Sequence, residues 1–286
     1  MASTSPTAVF LIVCKDVPGI VAALTSFILK EGGNLVDVDF HTDREEKLFL
    51  GRVEWNLDTF NLTREALHSA LTDLCAGYEG RWELHFSDVQ QRVAVFVSKQ
   101  DHCLLDLLHG SQLQDVNSEI ALVVSNHDTM RGVVESHNIP FHLTPITKAT
   151  KAATEQAQLS LLSTHKIDLV VMAKYMQILS DDFLSAFPNT INIHHSFLPA
   201  FVGAKPYHQA HQRGVKIIGA TAHFATVDLD CGPIIEQEVV RVSHRDSVDD
   251  LVRKGKDVER SVLARAVRLH LLHRVLTYGN KTVVFA

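Results

Sequence analysis

The stretch INIHHSFLPAFVGAKPYHQAHQRGVKIIGATAHFATVDLDCGPIIEQE (Ile191–Glu238) contains two apolar runs, and polar residues lie at or near the end of each. In the first run, Asn192 and His194 alternate with isoleucines, so a strand would project both polar side chains from one face. The second run is followed by Asp230, in a turn that a Gly-Pro pair closes. The three residues combine an amide, an imidazole and a carboxylate. Such a set can polarise a carbonyl and carry a proton.

The composition indicates a globular protein with one large domain or with a small and a medium domain. The chain has 286 residues, of which 46% are hydrophobic and 21% are charged, and these are ordinary values for globular proteins. The 27 basic and 33 acidic residues give a net charge of -6. The sequence has no basic run and no stripe of aromatic and basic residues, so we expect no nucleic-acid partner.

The cysteines and the amino terminus predict a cytoplasmic protein. The four cysteines lie far apart and none forms a C-x-x-C pair, which disfavours a disulfide framework and a thiolate metal site. Residues 1–7 are polar and lack the pattern of a signal peptide. No apolar run approaches the roughly 20 residues that span a bilayer. We therefore expect no membrane association.

The first 86 residues predict a small α+β domain. Apolar strands and amphipathic helices follow one another in the order β-α-β-β-α-β of the ferredoxin-like motif. Residues 87–91 are polar and predict a linker. The predicted strands are 8–14, 35–41, 48–55 and 81–86, and the predicted helices are 20–31 and 63–75.

Residues 92–286 predict a second domain with a Rossmann-like, largely parallel, doubly wound sheet, because apolar strands alternate with helical stretches. The predicted strands are 93–97, 120–124, 140–143, 169–173 and 191–194, and the closing element, 247–276, predicts one long or kinked helix. Ligands of such sheets bind beyond the carboxyl ends of the strands. We expect His194 and Asp230 near such ends.

Each candidate catalytic residue also has a structural interpretation. A single histidine at a strand end is more often structural than catalytic, and an Asp next to Gly and Pro often caps a turn. The combination favours a catalytic role. An amide and an imidazole on one strand face, with a carboxylate after the next strand, suit a reaction at a formyl or acyl carbon.

The histidines raise the question of a metal site. The chain has 17 histidines, yet zinc sites need three or four ligands at constrained spacings. His208 and His211 are three residues apart, so on a helix their rings would point about 60° apart. We therefore expect no metal. His223 alternates inward on its predicted strand, which is compatible with a supporting role beside the site.

Two motifs resemble those of the folate-dependent formyltransferases. They are Asn-x-His followed by Ser-x-Leu-Pro, and Leu-Asp-x-Gly-Pro-Ile, at residues 192–199 and 229–234. Within that group, the run HHSFLPAFVGAKPYHQAHQRGVKIIGATAHF (His194–Phe224) resembles the formyltetrahydrofolate deformylases. The resemblance implies hydrolysis of 10-formyltetrahydrofolate to formate and tetrahydrofolate, with folate as substrate and no cofactor. Such a reaction would supply formate and balance the one-carbon folate pool for purine biosynthesis.

The same resemblance implies roles for three residues. Asn192 would hydrogen-bond the formyl oxygen. His194 would stabilise charge or carry the proton. Asp230 would act as the base or would orient His194.

The resemblance also places folate-binding residues. The segment 172–179, with Met176, Ile178 and Leu179, corresponds to the wall of the folate pocket, although core packing is the other interpretation of its apolar residues. The loop 201–207, with Gly203 and Lys205, would cover the site, unless Lys205 is simply solvated.

A third motif lies near the amino terminus. The segment Asp16-Val17-Pro18-Gly19-Ile20 follows a strand, opens a helix and resembles the start of an ACT domain, a fold that commonly binds amino acids. Free amides at the helix start suit a carboxylate, so Asp16, Pro18, Gly19 and Ile20 become candidates for effector binding. The other interpretation is that Pro18 and Gly19 only shape the turn. Small sheets expose edges that pair between subunits, so we expect a homo-oligomer.

The loop 97–103 distinguishes the candidate acceptors of the formyl group. Relatives that act on a glycinamide ribonucleotide have a glycine-rich loop here that holds a phosphate, whereas this loop has no glycine and includes Asp101. It is therefore a poor phosphate site, and water is the predicted acceptor. The alternatives are transfer to an amine without phosphate and an amino-acid-binding protein with an inert site.

Overall fold

The computed structural model describes residues 5–109, 113, 116–200 and 206–285. The chain divides into two compact units. The first comprises Met1–Gln90 with His273–Tyr278 and Thr282–Ala286, and the second comprises Gln91–Leu272 with Gly279–Lys281.

The first unit contains a four-stranded antiparallel sheet in the order β2-β3-β1-β4. Two helices connect its strands in the predicted β-α-β-β-α-β order. The elements are β1 (Thr7–Lys15), α1 (Ile20–Lys30), β2 (Asn34–Asp43), β3 (Leu48–Asn56), α2 (Arg64–Cys75) and β4 (Gly80–Phe86).

Strand alternation gives the sheet of the first unit two different faces. On β1, Phe10 and Ile12 belong to the core that α1 and α2 cover. Each helix buries residues four apart, such as Leu67 and Leu71 on α2, as expected for an amphipathic helix with a single apolar stripe. The intervening β1 residue Leu11 packs into a second, smaller cluster on the other face.

The second unit contains a seven-stranded sheet in the order β11-β10-β9-β8-β5-β6-β7. The strands from β9 to β7 are parallel, whereas β10 and β11 are antiparallel to their neighbours. The strands are β5 (Gln91–Val97), β6 (Ser118–Ser125), β7 (Phe141–Leu143), β8 (Leu169–Met172), β9 (Thr190–His194), β10 (Ile217–Phe224) and β11 (Ile234–Arg241). The helices are α3 (His102–His109), α4 (Arg131–Ser136), α5 (Lys151–Thr164), α6 (Asp181–Ala186), α7 (Pro206–Arg213) and α8 (Val248–Leu271).

The strand order creates a binding crevice. From β5 the chain winds outward through β6 and β7, then returns to place β8 on the other side of β5. The carboxyl ends of β5 and β8 therefore flank the point where the winding reverses, which is the usual ligand site of a doubly wound sheet. Beside it, α5 and α6 bury Leu162 and Phe183 against Phe96 of β5.

The carboxyl terminus differs from the prediction. The closing helix begins after a capping box at Ser247 but ends at Leu271, and β12 (Val275–Tyr278) and β13 (Lys281–Val284) follow as a two-stranded sheet. The predicted helix to residue 276 is therefore wrong over its last residues. The reason is that Leu276 and Phe285 are buried in the smaller cluster of the first unit, so the predicted domain 92–286 contributes its final residues to that unit.

Within the described ranges, no helix combines the length and the apolar character that crossing a bilayer requires.

Arg52 of β3 provides a test of how the first unit holds its carboxyl-terminal segment. This residue is 2% exposed. Its guanidinium donates to Asp37 Oδ2 at 2.8 Å, to Glu54 Oε2 at 2.7 Å and to the His273 carbonyl at 3.1 Å. Removing this buried cation takes an ion-pair partner from each of the two carboxylates.

We expect Arg52→Met to lower the free energy of unfolding of the first unit by about 2–4 kcal/mol, because both carboxylates retain partial exposure. The control is Arg64→Met, whose half-exposed pair with Asp88 predicts a loss of about 0–1 kcal/mol. Both tryptophans of the chain, Trp55 and Trp82, lie in the first unit, so tryptophan fluorescence during urea denaturation reports this unit. Equal losses in the two variants would contradict the buried-pair account.

Candidate active site

Two adjacent strands present the polar residues of the site. On β9, Asn192 and His194 are two residues apart and share a face, and in the neighbouring strand β10 His223 lies opposite Asn192. His194 is 5% exposed. The strand pairing therefore fixes the positions of one amide and two imidazoles before any ligand binds.

The His194 ring is oriented by Asp230. Its Nδ1 lies 3.1 Å from Asp230 Oδ1, so Nδ1 carries a hydrogen and donates it to the carboxylate. The opposite nitrogen, Nε2, is buried and has no hydrogen-bond partner among the described residues. In the neutral ring Nε2 is therefore a base, and in the protonated ring it is an acid.

Asp230 reaches His194 by a route that the sequence did not predict. We expected both residues near carboxyl ends of strands, and His194 is the last residue of β9 while Asp230 follows the carboxyl end of β10. However, β10 runs antiparallel to β9, and its last residue, Phe224, lies opposite Ile191 near the start of β9. The carboxyl ends of the two strands therefore lie at opposite ends of the strand pair. The loop 225–233 instead folds back and brings the carboxylate to His194.

The loop after β10 has a tightly constrained backbone. Asp230 itself adopts a left-handed conformation, with φ 58°, which an aspartate tolerates better than most residues. At Gly232 a side chain would overlap the carbonyl oxygen of Phe224. The glycine of the Asp-x-Gly-Pro motif is therefore required by a close backbone approach, and this approach holds the loop against the end of β10.

The surroundings of Asp230 favour its charged form. Burial alone would raise the pKa of this carboxyl, but the hydrogen bond from His194 and the favourable electrostatic interactions with His194 and His223 outweigh burial and lower the pKa below its ordinary value of 3.8. Asp230 is therefore a carboxylate at neutral pH and a weak base. It is better suited to hold the His194 tautomer than to take a proton itself.

His223 orients the Asn192 amide. The Nδ1 of His223 faces the Phe224 carbonyl at 2.8 Å, which can only accept, so Nδ1 carries the hydrogen. Burial lowers the pKa of His223, and in the neutral ring Nε2 is then an acceptor for Asn192 Nδ2, 3.3 Å away. One N–H of the Asn192 amide is thereby occupied and the other remains available. This arrangement gives His223 the supporting role that its alternation suggested.

A cavity of about 440 Å³ adjoins these residues, a size typical of sites for small molecules. The predicted residues Met176, Ile178 and Leu179 all line it, with Met176 and Ile178 being 60% and 58% exposed and Leu179 buried. Exposed apolar side chains beside a cavity are typical of a binding surface. The predicted residues Gly203 and Lys205 lie outside the described residues.

The loop after β5 is short, because α3 begins at His102. Its first residue, Ser98, is buried and donates to Asn126 Oδ1 at 2.7 Å while accepting from the Met176 amide at 3.0 Å. The Ser98 side chain thus holds the loop against the cavity wall. The loop has no glycine that would let its backbone approach a ligand closely.

A second polar cluster, which the sequence did not predict, lies near the candidate catalytic residues. Glu259 of α8, 1% exposed, accepts hydrogen bonds from His102 Nε2 at 2.8 Å and Tyr207 Oη at 2.6 Å, and Lys174 Nζ lies 3.2 Å away. One sequence signal was present, since Glu259 is a carboxylate on the apolar stripe of the closing helix.

This cluster also contains a group of metal-ligand types. Ligand atoms of His102, Cys103 and Glu259 lie within 4.8 Å of one another. Burial, followed by the charge of Glu259, raises the pKa of the Cys103 thiol strongly, which disfavours the thiolate that a metal would need. The Glu259 carboxylate is already balanced by Lys174. We interpret the group as an internal ion-pair network.

The proposed effector residues surround the start of α1. Gly19 is the N-cap with φ 95°, and no side chain caps this end. Asp16, Pro18 and Gly19 are exposed, whereas the Ile20 side chain is 2% exposed and belongs to the core. Ile20 could therefore contact an effector only through its backbone.

Three kinds of comparison with known proteins give consistent results. The family model described as "Formyl transferase" matches residues 91–267. A formyltetrahydrofolate deformylase of Synechocystis sp. is 59% identical, with 98% of this chain and 99% of the relative covered, and one of Bacillus subtilis is 47% identical, with 96% and 92% covered. The crystal structure of a formyltetrahydrofolate deformylase from Pseudomonas syringae pv. tomato has a TM-score of 0.96 and 43% identity, with 100% of this chain and 96% of that chain covered.

We expect Asp230→Asn to reduce turnover by on the order of 10²-fold or more while the protein remains folded, because the amide cannot compensate a protonated His194. The control is Asp228→Asn, which changes an exposed carboxylate in the same loop. Circular dichroism verifies the fold and a steady-state assay gives the rate. Normal turnover by the folded Asp230→Asn variant would show that Asp230 only stabilises the turn.

Proposed function

This chain belongs to the formyltetrahydrofolate deformylase family, and on that premise we propose that it hydrolyses 10-formyltetrahydrofolate to formate and tetrahydrofolate. The observation that carries the proposal is the geometry of His194. Its Nδ1 is held by a carboxylate, and its buried Nε2 is left without a described partner beside a cavity of suitable size. An imidazole in this arrangement is ready to exchange a proton with a ligand.

The reaction requires one proton to be taken up and then delivered. Neutral His194 accepts a proton at Nε2 from the attacking water, as the water oxygen forms a bond to the formyl carbon. The Asp230 carboxylate stabilises the imidazolium that results. When the bond between the formyl carbon and N10 breaks, the same Nε2 returns its proton to N10. Formic acid and tetrahydrofolate leave, the acid ionises to formate by releasing a proton to water, and the ring is neutral again.

Asn192 is placed to stabilise the developing oxyanion. Its amide is oriented by His223, which leaves one N–H available for the formyl oxygen. The imidazolium of His194 supplies a second, charged donor on the same strand face. Oriented donors of this kind each contribute about 10²–10³ in rate, since they need not reorganise as charge develops.

The choice of water over a phosphorylated amine rests on the loop after β5. This loop offers no glycine, its Ser98 is bonded to the cavity wall, and Asp101 is exposed at its end. Without a glycine the loop backbone cannot approach a phosphate closely, and the exposed Asp101 repels its charge. Transfer to an amine without phosphate is the second candidate, which the loop does not disfavour.

The test follows both products from 10-formyltetrahydrofolate labelled in the formyl group. We expect label in formate with or without glycinamide ribonucleotide. His194→Ala should lower turnover by on the order of 10²-fold or more, whereas His211→Ala, which removes an exposed histidine of α7, should not. Label mainly in an added amine would make the protein a transferase.

The same assay tests the proposal that no metal takes part. Chelators should leave turnover unchanged, because protein groups alone manage the proton and the oxyanion in this mechanism. Activity lost on chelation, together with a stoichiometric metal by elemental analysis, would contradict it.

We propose further that the first unit is an ACT-like regulatory module that binds an amino acid at the start of α1 and joins subunits. The uncapped helix end, with exposed Asp16, Pro18 and Gly19, supports an amino-acid site. The edge strand β2 supports assembly, because it exposes Leu35, Val36 and Val38, and apolar edges invite pairing.

Isothermal calorimetry with amino acids tests the module. We expect binding by the wild type and weaker binding by Gly19→Ala, because a side chain at φ 95° is strained and shifts the helix start. Gly214→Ala is the control, as it has a similarly positive φ of 68° in the second unit. Light scattering should show an oligomer. A monomer that binds no amino acid would exclude both roles.

We place this activity in the cytoplasm, where it would supply formate and balance the one-carbon folate pool that purine biosynthesis uses. Four free cysteines, three of them buried, support a reducing compartment.

A further inference from the structure

Lys174 has an unusual backbone. It lies two residues after β8 with φ 62° and is 5% exposed. A left-handed conformation is ordinary for glycine but strained for lysine, and such strain persists where the surrounding structure holds the residue in place. A buried lysine in this conformation therefore indicates that its side chain is required where it lies.

The Lys174 side chain is held by Glu259. Burial alone would raise the pKa of Glu259, but hydrogen bonds from His102 and Tyr207 and the charge of Lys174 lower it to about 2. Glu259 is thus a permanent carboxylate, 3.2 Å from Lys174 Nζ. The Tyr207 ring lies directly over Gly255 of α8, where any side chain would overlap it. This close packing of Tyr207 against α8 constrains the position of Glu259, which Tyr207 hydrogen-bonds.

Lys174 lies between two cavities. One is the catalytic cavity of about 440 Å³, which Asn192 and His194 line. The second, of about 260 Å³, is lined by residues of α7 and α8, including Tyr207, Lys256 and Glu259. Lys174, Met176 and His195 line both cavities. The anchored stem of Lys174 therefore forms part of the partition between them.

We propose that Lys174, held across this partition by Glu259, is a specificity-determining residue that admits water to the formyl carbon and excludes amines. The proposal rests on the proposed hydrolysis and explains its selectivity. In either reaction the nucleophile bonds to the formyl carbon, the bond to N10 breaks, and a proton passes from the nucleophile to N10. A neutral amine is the stronger nucleophile, so a hydrolase must exclude it by space or charge.

At Lys174 the exclusion is by space. In this proposal the side chain, which lines both cavities, closes the path from the second cavity to the formyl carbon. Its charge is balanced by Glu259 and does not act on the neutral amine that would react. Water is small enough to reach the formyl carbon beside the intact side chain. Removing the side chain beyond Cβ should join the two cavities and give a small amine access to the formyl carbon.

The test measures the ratio of N-formylglycinamide to formate from labelled 10-formyltetrahydrofolate with glycinamide as the probe. We expect Lys174→Ala to raise this ratio by on the order of tenfold or more over the wild type. The control is Lys166→Ala, which removes an exposed lysine with a similar φ of 50° and should leave the ratio unchanged. Reactions without enzyme give the background.

A second variant guards against misfolding, because Lys174→Ala leaves Glu259 without its cation. In Lys174→Ala/Glu259→Gln the charge balance is restored, and the same rise is expected. An unchanged ratio in folded variants that still release formate would overturn the proposal, and so would loss of both products in the double variant. Absence of formate release by the wild type would instead contradict the proposed hydrolysis, so the two failures are distinguishable.

Discussion

The reversal of strand direction between β9 and β10 is the constraint on which the active site depends. Because β10 runs antiparallel, His223 lies beside Asn192 and sets the direction of its amide. Because of the same reversal, the loop after β10 begins at the end of β9 that is opposite to His194. The loop must therefore fold back to bring Asp230 to His194. The part of the sheet that departs from the parallel pattern thus holds the candidate catalytic residues.

Local patterns predicted much of this structure because they record strand alternation and helix periodicity. The alternation at Asn192 and His194 was sufficient to place both on one face, and the Asp-x-Gly-Pro turn indicated a special backbone near Asp230. The direction of β10 was not predictable, since parallel and antiparallel strands have the same alternation. Nor was the contact of Leu276 with the first unit, because it joins residues far apart in the sequence.

The network around Glu259 was missed for a similar reason. Lys174 and Glu259 belong to different elements, and each alone has an ordinary interpretation. Only the lone carboxylate on the apolar stripe of α8 hinted at a buried partner. Buried charges are paired in folded proteins, so such a carboxylate predicts that a partner exists without identifying it.

His195 separates the two polar clusters of the second unit. Burial, followed by the charges of Lys174 and His194, lowers its pKa to about 4, so the ring is neutral near pH 7. The ring centroid lies 4.9 Å from that of His194 and 6.4 Å from that of Tyr207, and Tyr207 donates to Glu259. His195 therefore lies between the pair of Asp230 with His194 and the pair of Glu259 with Lys174, and it adds no charge of its own.

Backbone strain is distributed unevenly in the second unit. Among the described residues, Lys174 and Asp230 have left-handed conformations and line the catalytic cavity, whereas other such residues, including Asn138 and Lys166, lie in exposed turns. In an exposed turn this conformation serves only to reverse the chain. At the cavity it is imposed on Lys174 and Asp230, whose contacts with Glu259 and His194 offset the cost. The contact of Asp230 with His194 and the ion pair of Lys174 with Glu259 therefore also hold in place the loops that carry Asp230 and Lys174.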